Sequence, residues 1–262
     1  MNETDIIAPA SHPYRAVCFD LDGTLLPMDL DAFLSSYYQA LGKFAAERGF
    51  NSAAVLRGVD AGVRAMLAHD DGTTNHTAFW TAFRNAVDGE TGDTDTDWEG
   101  IFNQFYEEDF GKLGASTVPN PAADSAVATL LAKGYPLVLT TMPLFPPRAV
   151  EWRLRWAGVD SAAFRRMTVY TNSTSVKPKL AYYQENLDAL GLAGEEVLMV
   201  GNNTVEDLAF MQLGADGFLV TDCLLNPNEM DVNEVRHGTL EQFAQWVETL
   251  PTCKNPATSI QP

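Results

Sequence analysis

The chain has 262 residues, 46% of them hydrophobic and 20% charged, which is enough apolar material for one large domain or two modest ones. Its 17 Lys and Arg against 35 Asp and Glu give a net charge of −18, a balance that repels phosphate backbones and anionic membranes and excludes broad nucleic-acid or lipid binding. Three cysteines with no CxxC pair make no disulfide framework, no apolar run reaches a membrane span, and the acidic start Met1–Asp5 lacks the positive region of a secretory signal, so a reducing cytoplasm is the expected setting.

In chain order, residues 1–13 read as a loose leader. Ala16, Val17, Cys18 and Phe19 form a short continuous apolar run, the pattern of a strand buried on both faces. From 28 to 118 the periodicity is helical: Phe33, Tyr37 and Leu41, then Val55, Val59 and Val63, then Phe79, Phe83 and Val87, then Phe102 and Tyr106. The aromatic helices read as the core of this block, and the acidic run at 88–99 as a solvated loop. The block carries 15 acidic and 6 basic residues, half of the net charge.

From Pro119 helices and strands alternate. The spacing predicts helices at 122–133, 147–157, after Pro178, at 205–213 and at 239–249, with strands at 135–140, 167–171, 196–200 and 217–221. Such alternation means an α/β fold: a Rossmann-like, doubly wound parallel sheet covered on both faces. The helical block then leaves the carboxyl end of the first strand as an insertion, at the edge where open α/β sheets bind ligands, and is placed to act as a lid. Residues 251–262 read as a flexible tail.

The chemistry-bearing stretch is Phe19-Asp20-Leu21-Asp22-Gly23-Thr24-Leu25. Two carboxylates two residues apart leave the end of a buried strand on one side, Gly23 permits a sharp exit, and Thr24 can bond back to hold the turn. Later in the chain Thr140, Thr141 and Met142 follow an apolar strand, Lys177 precedes Pro178, and Asn202, Asn203, Glu206 and Asp207 follow another apolar strand.

The pattern hhhhDxDGTL resembles the first motif of the haloacid dehalogenase (HAD) superfamily, in a phosphatase-like form. The resemblance covers about 14–27 and 119–245, so the core is expected at 14–27 and 119–250, and the block at 28–118 is similar to the superfamily's C1-type cap. It implies a nucleophilic Asp20 that forms a phospho-aspartate, and an Asp22 that serves as acid for the leaving group and base for water. Dehalogenases of the family lack that second aspartate, so its presence favours phosphoester cleavage.

The second motif implies a phosphate-binding hydroxyl. Thr141 is favoured over Thr140, with Met142 where similar sequences carry Asn. The third implies a lysine facing the phosphate, Lys177 rather than Lys179. The fourth departs from the family pattern, with Asn202 in place of the usual aspartate. A low-affinity Mg²⁺ site of Asp20, the Asp22 carbonyl and Asn202, with Asp207 behind, is the expectation.

Four histidines (His12, His69, His76, His237) show no ligand spacing. Arg148 lies close enough to the site's mouth to guide a phosphate, with a helix-surface role expected for it and for Arg153 and Arg155. No GxGxxG or P-loop pattern is present. The resulting expectation is a Mg²⁺-dependent phosphomonoesterase acting on a small phosphorylated metabolite, as monomer or homodimer. The rivals are a catalytically silent binding module, a phosphomutase or phosphotransferase, and a receiver domain, whose phosphorylated Asp would end an internal strand.

Overall fold

A computed structural model describes residues 13–91, 95–258 and 260–261. Strand β1 (Ala16–Phe19) is followed by four helices, α1 (Leu30–Glu47), α2 (Ser52–Ala68), α3 (Asn75–Thr91) and α4 (Trp98–Glu108). After α5 (Pro121–Ala132) come β2 (Leu137–Leu139), α6 (Pro147–Trp156), β3 (Phe164–Met167), α7 (Leu180–Leu190), β4 (Val197–Gly201), β5 (Asp216–Val220), β6 (Arg236–Gly238) and α8 (Leu240–Thr249). The strands form one sheet in the order β3-β2-β1-β4-β5-β6, every pair parallel.

The two-sided burial of β1 follows from its lack of any polar residue. Val17 and Phe19 join one core with Leu137, Leu139, Phe243 and Trp246, while Ala16 and Cys18 join another with Val138, Tyr182, Met199 and Phe210. Helices α5, α6 and α8 therefore cover one face and α7 the other, the doubly wound arrangement. Although first in sequence, β1 is central in the sheet, so strand position does not separate this fold from a receiver; the extra helices α1–α4 between β1 and α5 do.

Within that insertion, α2 and α3 approach closely because Gly58 and Gly62 leave room for Phe83, Val87 and Phe79; a Cβ at either glycine would collide with those side chains. Phe83, Phe102 and Phe105 are buried, as expected of a core rather than a cofactor box. The first turn of α3 is tied to the sheet domain. The buried Asn75 amide donates to the carbonyls of Pro143 and Ser175, both at 3.1 Å, and its backbone N–H donates to Ser173 O at 2.8 Å.

Several expectations need correction. Helix α3 runs through Thr91, so the expected acidic loop is shortened, with 92–94 outside the described residues. Strand β3 lies at 164–167 rather than 167–171, because the Asn172 carboxamide accepts the Val169 N–H and turns the chain. Helix α7 does follow Pro178, starting at Leu180. Residues 208–213 form 3-10 turns instead of an α-helix. Strand β6 is unforeseen, since Arg236 and His237 carry no apolar signal.

The expected leader falls largely outside the described residues. The expected flexible tail is docked instead: Cys253 N–H donates to Lys133 O, Ala257 N–H to Arg15 O, and Gln261 N–H to Ala189 O. Ala257 is buried in the second core.

Candidate active site

The carboxyl ends of β1, β2 and β4 meet where the α1–α4 layer covers the sheet. Asp20 continues β1 by donating its N–H to Val200 O, and Thr140 N–H donates to Phe19 O on the other side. The chain then folds tightly: Leu26 N–H returns to Leu21 O, and Gly23 adopts φ +86°. A Cβ at Gly23 would run into the Asn202 carboxamide, so this position requires glycine for both space and conformation.

Lys177 reaches Asp20 across 157 residues of sequence. Its Nζ donates to Asp20 Oδ1 at 2.8 Å and to Asp207 Oδ1 at 2.6 Å, with the lysine 3% exposed. Burial works against the ammonium, but the charges of Asp20 and Asp207 outweigh it and hold it protonated well above the ordinary lysine range. Burial also pushes the Asp207 carboxyl upward, with Lys177 pulling it back. Lys179 lies elsewhere, its Nζ donating to His69 O at 3.0 Å.

Asp22 pairs with Arg153. Its other oxygen, Oδ1, is buried and has no hydrogen-bond partner. Burial pushes this carboxyl upward; Arg153 pulls it back, while the Asp20 charge adds to the rise. Thr141 Oγ1 is likewise buried and unpartnered, whereas its carbonyl is fixed by Thr168 Oγ1 at 2.7 Å and Tyr182 OH at 2.9 Å. Thr140 turns away and donates to Phe19 O. Asp20, Asp22, Thr141, Met142, Arg153, Asn202 and Asp207 line one cavity of about 190 Å³, closed on its other side by Leu30, Phe33, Leu34, Leu144 and Phe145.

The fit of a metal rests on Thr24. Its hydroxyl stands 3.1 Å from both Asp20 Oδ2 and Asn202 Oδ1. One hydroxyl hydrogen serves one acceptor, so two oxygens face a point where only one is satisfied. An all-oxygen pair of this kind suits a hard cation. The set is thin: among the described residues no three His, Cys, Asp or Glu side chains are grouped to hold a metal. Asp207 stands behind Asp20 as a partner of the lysine, its Oδ1 accepting from Lys177 and its Oδ2 from Asn203 N–H at 2.9 Å.

Arg153 is the residue that sequence reasoning misplaced. Expected on a helix surface, it is 1% exposed beside Asp22. The signal was its place on the inward face of α6 with Ala149, Val150 and Leu154. Arg148 takes the helix-surface role expected of it, pairing with Glu107 and Glu151 outside the cavity. His69 and His76 bond Asn75 Oδ1 and Glu99, and His237 bonds Val235 O; none enters the cavity.

A family model described as haloacid dehalogenase-like hydrolase matches residues 14–213. No curated protein matches the sequence. Solved structures do share the fold. A HAD phosphatase from Thermococcus onnurineus has TM-score 0.54 and 16% identity over 90% of this chain and 99% of its own. A predicted phosphoglycolate phosphatase from Haemophilus somnus has 0.54 and 17% over 90% and 99%. An L-2-haloacid dehalogenase from Xanthobacter autotrophicus has 0.50 and 17% over 90% and 98%. No helix among the described residues is long and apolar enough to cross a membrane.

Proposed function

Because the chain belongs to the haloacid dehalogenase-like hydrolases, we propose that it hydrolyses a small phosphate monoester through a phospho-aspartate on Asp20. The observation that carries this reading is the buried, unpartnered Oδ1 of Asp22 in the same cavity as Asp20. A carboxyl pushed upward by burial is suited to deliver a proton. An ester oxygen leaving as an alkoxide requires that proton; a halide does not.

In the first step an Asp20 carboxylate oxygen forms a bond to phosphorus, the ester P–O bond breaks, and the leaving oxygen takes the proton from Asp22. In the second, Asp22 accepts a proton from water as its oxygen attacks phosphorus. The bond to Asp20 then breaks and orthophosphate departs. Thr141 Oγ1 donates to a phosphoryl oxygen, and Lys177 offsets the repulsion between Asp20 and the incoming anion. A divalent cation such as Mg²⁺, held by Asp20 and Asn202, would neutralise charge on the transferring group. The α1–α4 layer excludes water as the cap of this site, and the small cavity limits the substrate to a small metabolite.

The rival within the family is halide displacement from a haloalkanoate. Asn202 favours it, since that reaction places less negative charge at the site. Phosphate release from a panel of phosphate esters over a Mg²⁺ series, beside halide release from 2-haloalkanoates, separates the two with Asp20→Asn as control. The proposal requires Mg²⁺-dependent phosphate release that Asp20→Asn abolishes. Halide release without phosphate release refutes it.

A further inference from the structure

The guanidinium of Arg153 is only half engaged. Its Nε leans on Ala149 O at 3.4 Å, Nη1 meets the Asp22 carboxylate, and its Cζ stands 4.7 Å from the centre of the Phe145 ring. Nη2 is buried without a hydrogen-bond partner, on a side chain 1% exposed that lines the cavity holding Asp20 and Thr141. A buried charged donor left open is unfavourable unless something supplies an acceptor. Its position is also built: the inward face of α6 fixes the stem and Phe145 supports the plane.

The rest of the cavity defines that acceptor. Asp20 and Asp207 both take their ion pair from Lys177, and Arg153 pairs with neither. Thr141 and Lys177 sit at the nucleophile, where the phosphoryl group belongs. Arg153 sits at Asp22, the side from which the leaving group receives its proton. Leu34, Met142, Leu144 and Phe145 line the cavity beside it. Around such a fork, a short apolar group ending in a planar anion is complementary, and a guanidinium pairs with a carboxylate through two parallel N–H donors. The volume of about 190 Å³ lies below that of pockets for larger ligands and leaves space for only a few carbon atoms beyond the phosphoryl group.

We propose that Arg153 binds a carboxylate carried by the leaving group, so that the preferred substrates are phosphate esters of short hydroxy acids. The proposal rests on the phosphatase reading for the reacting group and on Arg153 alone for the carboxylate. The role is one of specificity: the unpaired Nη2 donates to the carboxylate while Nη1 stays with Asp22, which sets the ester oxygen beside the acid.

The test compares 2-phospholactate with isopropyl phosphate, in which a methyl group replaces the carboxylate. In the wild type, kcat/KM is expected to favour 2-phospholactate by roughly 10–100-fold. Arg153→Lys keeps the charge but loses the fork, and the ratio between the two esters should fall about tenfold. Equal kcat/KM for the two esters in the wild type, or an unchanged ratio in Arg153→Lys, overturns the proposal. Should Arg153→Lys not fold, the wild-type ratio alone decides.

If neither ester is hydrolysed, the wider panel of phosphate esters judges the phosphatase reading, and calorimetry judges Arg153 separately. A dissociation constant for 2-phospholactate about tenfold weaker in Arg153→Lys upholds the carboxylate site. Equal binding, or none in the wild type, refutes it.

Discussion

Replacing Lys177 by Met is the sharpest test of how the site is held together. The ammonium is buried between two carboxylates, at 2.8 Å from Asp20 and 2.6 Å from Asp207. Removing one partner from a buried ion pair costs about 3–5 kcal/mol, because the remaining charge stays desolvated. For a domain of this size that corresponds to a loss of roughly 6–20 °C in Tm.

The loss must depend on pH. With the cation gone, only the Asn203 N–H bond opposes the upward push that burial and the Asp20 charge exert on Asp207. A carboxyl whose folded pKa lies above its unfolded value destabilises increasingly as pH rises from the unfolded pKa, about 3.9, toward the folded one. Thermal unfolding of wild type and Lys177→Met at pH 5 and pH 8 should therefore show the larger gap at pH 8. Lys177→Met/Asp207→Asn, which removes the stranded charge, should recover part of it. A gap below about 1 kcal/mol, or one identical at both pH values, would show that Lys177 does not balance a buried carboxylate pair.

Other parts of the structure make independent predictions. Asn202→Asp adds a charge next to Asp20, worth about 4 kcal/mol toward a cation at 4 Å before desolvation is subtracted. Calorimetry should find Mg²⁺ bound more tightly than by wild type, and unchanged affinity would remove Asn202 from the metal site. Asn75→Ala strands the carbonyls of Pro143 and Ser175 and should cost about 1–3 kcal/mol in urea denaturation; a neutral result would mean the contact between α3 and the sheet domain is not maintained in solution.

Asp216 accepts from Tyr14 and from Arg236 at 3.0 Å. Burial raises its carboxyl, but these bonds outweigh it and leave the pKa lowered. Its stabilisation is full above the unfolded pKa and is lost as pH falls through the folded one. Asp216→Asn should thus lower Tm at pH 6 and converge on wild type at low pH, and parallel curves would contradict the assignment.

The sequence disclosed most where chemistry and backbone demand coincide. Asp20, Asp22 and Gly23 are legible together because a buried strand must end in a glycine turn to present two carboxylates. Thr141 and Lys177 follow from their places after a strand and before a proline. Arg153 was hidden because an arginine on a helix is ordinarily solvated, and only its neighbours Ala149, Val150 and Leu154 mark its face as buried. Asn75 has no local signal, since its acceptors lie 68 and 100 residues away. The docked tail was unreadable for a related reason. Its anchors, Arg15 O, Lys133 O and Ala189 O, are backbone carbonyls, and no side-chain pattern records a backbone acceptor.

The central position of β1 also bears on how the chain folds as it is made. Its flanking strands arrive late: Val17 pairs with Leu137 and Leu198. At about 5–20 residues per second, β1 waits roughly 6–24 s for its first neighbour to leave the ribosome. In that interval a wholly apolar strand stays unpaired, while the helices between, with their local contacts, can form. The strand that ends at Asp20 is thus the first of the sheet to be synthesised yet gains both neighbours only once β4 has emerged, so it needs shelter from aggregation during synthesis.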